Sequence, residues 1–169
     1  TRRSIREALA IGPLVRLLGD GRRTETGTPP ERAAAVLADL AKASESLSEI
    51  VEAGGVLPLV NMCESRSHAA QTSAAAALCH LASIGENRER IVQSSGIPKL
   101  VALLNEECAP EAQRHATGAL WHISNSAENK NGIVAAGGIA PVVGVLERLG
   151  GKVAEVQESA CALLSELAR

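Results

Sequence analysis

The chain has 169 residues, a net charge of −2 and 46% hydrophobic residues, with one Trp and neither Tyr nor Phe. That balance sets up no strong field for nucleic acid or an anionic membrane, and the lack of aromatic rings removes the stacking platforms that single-stranded nucleic acid uses. No apolar run approaches the roughly 20 residues that span a bilayer, no secretory leader is visible, and Cys63, Cys79, Cys108 and Cys161 form no CxxC pair; the expectation is an intracellular protein, cytoplasmic or nuclear, with reduced thiols and no membrane insertion.

In chain order, the first segment is "EALAIGPLV" at 7–15, an apolar helical stretch with Leu9 and Ala10 where later segments carry glycines. A Gly/Pro-rich loop, "GDGRRTETGTPP" at 19–30, follows. Its Arg22-Arg23 pair reads as solvated charge and, second to that, as a protruding docking loop. "AAAVLADLA" at 33–41 predicts a helix with Ala33, Val36, Leu37 and Leu40 on one buried face, at the i, i+3, i+4, i+7 spacing. "EIVEAGGVLPLV" at 49–60 predicts a short helix closed by Gly55, which tolerates a left-handed backbone. Pro58 then falls in the first turn of the next helix, where its missing N–H is harmless.

The same wording returns. "RIVQSSGIPKLV" at 90–101 and "GIVAAGGIAPVV" at 132–143 align Gly55, Gly96 and Gly138 at intervals of 41 and 42 residues, with Pro98 and Pro141 in the role of Pro58. The long helix returns as "AAAALCHLA" at 74–82, "ATGALWHIS" at 116–124 and "ACALLSELA" at 160–168, making Leu37, Leu78, Leu120 and Leu164 equivalent. "ALCHLASIGENR" at 77–88 aligns with "ALWHISNSAENK" at 119–130 at an offset of 42, pairing Ala77 with Ala119, Leu78 with Leu120, His80 with His122 and Glu86-Asn87-Arg88 with Glu128-Asn129-Lys130. Each unit reads short helix, turn, middle helix, loop, long helix. No unit can bury its apolar face alone, so stability must come from stacking, and alanines let neighbouring axes approach. The expected division is an atypical first unit over 1–45, then 46–86, 87–128 and 129–169, all one domain. Leu163 and Leu167 call for a neighbour, which predicts further repeats or a cap beyond Arg169.

A period of about 42 residues with a Gly turn and an Ala-Leu third helix resembles the armadillo repeat. The resemblance covers nearly the whole chain and is most regular over 46–126; "GALWHISNSAENK" is similar in wording to armadillo proteins of plants, algae and protists. It implies an all-α fold, a right-handed α-solenoid of about four armadillo-type three-helix repeats. It also implies a non-catalytic protein–protein interaction scaffold without cofactor or metal, whose concave groove takes an extended or helical segment of another protein. Two alternatives stand beside it: a substrate-presenting module of a larger protein such as a U-box ubiquitin ligase, and a structural spacer that self-assembles end to end through its exposed terminal repeats.

With each marker leucine in the core, the residues two before, two after and five before it lie on the far side of the third helix, at about 100° per residue. This gives three groove rows: Ala35, Ala76, Gly118 and Ala162; Asp39, His80, His122 and Glu166; Arg32, Ser73, His115 and Ser159. The resemblance places the second row where the family's ladder asparagine holds the backbone of a bound peptide. A neutral imidazole offers one donor and one acceptor, so His80 and His122 can stand in for an amide, whereas ionised Asp39 and Glu166 only accept. Nuclear-import adaptors of the family carry tryptophans in the first row; the small residues here argue against that role and leave room for bulky partner side chains. Trp121 falls one residue past Leu120, on the helix flank, either packed between helices or anchoring a partner at the groove edge. Cys79, its counterpart, is expected to point off the groove. The candidate partner-binding set is therefore Arg32, Asp39, His80, His115, His122, Glu166 and Trp121, with the histidines titrating near 6.5.

Catalytic readings are poor. Ser73, Ser124 and Ser159 qualify by residue type alone, and there is no Gly-x-Ser-x-Gly elbow, phosphate-cradling loop or HExxH. His80 and His122 fall short of the three or four ligands zinc requires. Trp121-His122 reads as a variation on a repeated flank-and-groove position rather than a catalytic pair.

Overall fold

The computed structural model describes residues 2–19, 21, 25–151 and 153–169, with side chains from Ala10 onward. The described residues form eleven helices and no strands. The first unit has two helices, α1 (Arg2–Leu18) and α2 (Pro29–Leu40). Three full units follow: α3 (Ser44–Glu52), α4 (Val56–Met62) and α5 (His68–Ala82); α6 (Gly85–Gln93), α7 (Gly96–Ala102) and α8 (Pro110–Ile123); α9 (Ala127–Ala135), α10 (Ile139–Leu149) and α11 (Ala154–Leu167). The long helices α2, α5, α8 and α11 pack side by side in that order, which makes the array a right-handed α-solenoid with one continuous core. No single helix among the described residues is long and apolar enough to cross a membrane.

The first unit departs from the others at the site its sequence marks. Leu9 and Ala10 replace the glycine pair, and α1 continues through that point, with Pro13 inside the helix, where later units turn. The unit is one helix short, and the expected face of α2 is corrected, because among the described residues no long helix packs on its outer side. Val36 is exposed and Leu40 only half-buried, while Ala33, Ala34, Leu37 and Ala38 are buried. The positions equivalent to Val36 in the full units, Ala77, Ala119 and Leu163, are completely buried. The Arg22-Arg23 part of the following loop lies outside the described residues.

The turn between the first two helices of each full unit divides two tasks between adjacent residues. Gly54, Ser95 and Gly137 carry the left-handed backbone, at φ of 79°, 60° and 74°. The marker glycines Gly55 and Gly138 do not, at φ of −71° and −69°. They are small for another reason. A Cβ on Gly55 would come 2.9 Å from both Cγ2 and the carbonyl oxygen of Ile50, and one on Gly138 would come 2.8 Å and 3.0 Å from the same atoms of Ile133. The backbone N–H groups of Gly55 and Gly138 reach back to those carbonyls, each at 2.9 Å. The marker glycine therefore allows close approach to the helix just ended, and its predecessor makes the turn.

Ser95 is the one non-glycine residue of positive φ among the described residues. Ser95→Gly is expected to stabilise the chain by about 0.5–1 kcal/mol, because relief of the left-handed strain exceeds the entropy glycine adds to the unfolded state. Urea unfolding followed by circular dichroism checks it: the midpoint should rise with an unchanged slope, and a lower midpoint would contradict it.

Polar side chains tie the loops at repeated positions. Gln71 Nε2 donates to the Ser65 carbonyl at 2.9 Å, and its equivalent Gln113 donates to the Asn105 and Cys108 carbonyls at 2.7 and 3.0 Å. Asn129 Nδ2 donates to the Ile123 carbonyl at 2.9 Å, and the Arg88 guanidinium to that of Ala82 at 2.7 Å. The repeated Glu-Asn-basic wording thus fastens a short helix to the end of the preceding long one. At the far end, Leu163 is fully buried, Leu164 and Leu167 are half-buried and Cys161 is exposed.

Candidate functional site: the concave groove

The third helices bring most of the expected groove residues onto one accessible face. In the row Asp39, His80, His122, Glu166, the two ends are held by lysines. Asp39 Oδ1 lies 2.7 Å from Lys42 Nζ, and Glu166 Oε2 lies 2.8 Å from Lys130 Nζ, with Arg169 3.2 Å from its other oxygen. The hydrogen bond from Lys130, and then its charge, hold the Glu166 carboxyl below the usual range. Glu166 thus has a cation on each oxygen, and Asp39 on one. His80 and His122 remain, half-buried, as the ladder positions with free capacity at the centre. Arg32 is exposed at the edge on α2, and Ser159 is buried, its hydroxyl donating to the Glu155 carbonyl at 2.6 Å.

Burial and cationic neighbours keep all three groove histidines neutral. Partial burial, then Lys42 and Arg114, lowers the His80 pKa below its ordinary value. Partial burial, then Arg88 and His80, does the same at His122. His115 is pushed down to about 4, by burial first and the Arg114 cation second. Geometry agrees: Arg114 Nη2 stands 3.0 Å from His115 Nε2, so a guanidinium donor faces a ring nitrogen that must accept. The expected titration near 6.5 is therefore displaced to more acid pH.

Between α5, α8 and α11 the groove deepens into a depression of about 290 Å³. Gly118 and Cys79 form its floor, so close that a Cβ on Gly118 would meet Cys79 Sγ at 3.0 Å. Cys79 thus lines the groove, contrary to the sequence expectation, because Gly118 leaves it uncovered. Burial pushes its thiol up to about 11, which keeps it protonated and unreactive. Trp121 is not sandwiched between helices: it is 38% exposed and borders the depression, its ring 4.9 Å from that of His122 and tilted by 31°.

Sequence reasoning missed Arg114, Glu155 and Glu158, which complete the rim. Arg114 bonds Glu111 at 3.0 Å within α8 and Glu155 at 2.6 Å on α11. A sequence signal existed for half of this, since Glu111 and Arg114 sit three apart on one helix face; the bridge to α11 depends on how the units stack. Among the described residues no three or more His, Cys, Asp or Glu side chains cluster as metal ligands would.

Two stretches of the chain, 44–83 and 86–125, match the Armadillo/beta-catenin-like repeat. The chain belongs to the armadillo-repeat family. The solved structures agree over nearly all of it, 94–98% of the chain. A computationally designed armadillo repeat protein for modular peptide recognition superposes with a TM-score of 0.83 at 26% identity, covering 98% of this chain and 68% of that one. An engineered protein 34% identical gives 0.79, covering 94% and 62%. A designed armadillo repeat protein in complex with the peptide (KR)4 gives 0.76 at 25% identity, covering 94% and 64%. The armadillo chain thus spans about two thirds of the length of these neighbours. No curated protein matches it.

Proposed function

We propose that this armadillo chain is a non-catalytic scaffold that binds an extended segment of another protein along its concave face, within the reducing interior of a cell. The observation that carries the reading is the open centre of the groove. His80 and His122 are neutral and each has a donor and an acceptor, the ladder ends are closed by lysines, and a side-chain-sized depression lies next to His122. An extended segment needs such alternation of backbone-binding polar groups and pockets for its side chains. The likeness to armadillo proteins designed for peptide recognition supports the same reading.

The test compares two baits in lysate of the source organism: the native chain, and a chain carrying Arg32→Glu, His80→Glu and His122→Glu whose helicity is first checked by circular dichroism. Partners held by the native chain should lose at least about tenfold in affinity for the variant. Equal capture by both baits would move binding off the groove.

A further inference from the structure

We infer that the chain docks head to tail on a second copy of itself, the α11 side of one copy seated against the α2 side of the next. This contact is independent of what the groove holds. Equivalent positions in successive units reveal the match. On the first unit Leu17 and Val36 are exposed. The equivalents of Leu17, which are Met62, Leu103 and Val145, and those of Val36, which are Ala77, Ala119 and Leu163, are buried in units that have another before them.

The last unit shows the reverse. Cys161 and Ile139 are exposed. The equivalents of Cys161, which are Ala34, Ala75 and Thr117, and those of Ile139, which are Ile11, Val56 and Ile97, are buried in units that have another after them. Ile97 is covered by the next unit's first helix: a Cβ on Gly132 of α9 would meet its Cδ1 at 3.2 Å. Each end thus bares the half-seam that the other needs. The α2–α5, α5–α8 and α8–α11 seams hold the fold together, and α11 against α2 of a second copy continues them. A further repeat past Arg169 would cover the second face alone, whereas a second copy covers both. Formal charge favours the same approach, since α1 carries four arginines and one glutamate, and α11 three glutamates and no base. The contact is heterologous, so growth stays open at both ends and carries the concave face on from copy to copy.

Sedimentation velocity tests this on the 169-residue chain, with a reductant present so that Cys161 forms no disulfide. The weight-average sedimentation coefficient of the native chain should rise between about 5 and 500 μM, past the dimer and without a plateau. Val36→Glu blocks one face and Cys161→Glu the other, each placing a charge where the seam would bury it. Either variant alone should stay monomeric. Their equimolar mixture should form a dimer and nothing larger, because each retains one intact face. Circular dichroism checks helicity first, and Leu17→Glu or Ile139→Glu, also at exposed positions, replaces a variant that has lost it. A native chain that stays monomeric throughout overturns the assignment and leaves the two faces to a further repeat or another protein. A single variant that still dimerises makes the contact two-fold and overturns it as well, and so does a mixture that stays monomeric.

Discussion

Gly96→Ala is expected to lower the unfolding free energy by about 3 kcal/mol. The added Cβ would stand 2.5 Å from Ile91 Cγ2, 2.6 Å from the Ile91 carbonyl oxygen and 3.2 Å from its carbonyl carbon. Two of those atoms are backbone and cannot turn away. The third belongs to a side chain that is fully buried in the core. Relief requires α6 and α7 to separate at their junction, which disturbs the stacking of both neighbouring units. Gly137→Ala is the control. Gly137 has φ of 74° with open space around its Cβ direction, so alanine there meets only backbone strain of about 1 kcal/mol. Urea unfolding of the two variants separates packing from conformation. A loss at Gly96 no larger than at Gly137 would show that the close approach to Ile91 is not what fixes the glycine.

This division of labour marks how far the sequence could be read. Recurrence of Gly55, Gly96 and Gly138 with prolines close behind was enough to place the turns, the repeat and hence the solenoid. It did not say which glycine of each pair turns the chain, because a Gly-Gly pair satisfies either assignment; Ser95, which occupies the left-handed position in one unit, was the available clue. The groove rows followed from helical periodicity, which is why His80, His115 and His122 fall where expected. Contacts between units were not legible in the same way. Arg114 with Glu155, and Lys130 with Glu166, are set by the rise and rotation from one unit to the next, and no periodicity within a helix encodes those quantities. Val36 and Cys79 were misplaced for a related reason. The covering partner of each is decided by another element: the long helix that packs before α5, α8 and α11 but not before α2 for Val36, the missing Cβ of Gly118 for Cys79.

Acidification from pH 7 to pH 4 is expected to remove about 2 kcal/mol of stability from the native chain that a His115→Gln variant keeps. In the unfolded chain His115 titrates near 6.5; in the folded one burial, and then the Arg114 cation, push it down to about 4. Between those values the unfolded state binds more protons, so stability rises with pH across the window. The contribution is fully present above 6.5 and is lost as pH falls to 4. At face value the gap corresponds to about 3 kcal/mol, and solvent screening of a partly exposed ring reduces it. Glutamine keeps an acceptor for Arg114 Nη2 and does not titrate, so the difference between the two urea-unfolding profiles isolates the imidazole. His80 and His122, lowered by burial and by Lys42, Arg114 and Arg88, act in the same direction. Parallel stability profiles for native and His115→Gln chains would show that the His115 ring is solvated and titrates alike in the folded and unfolded chains.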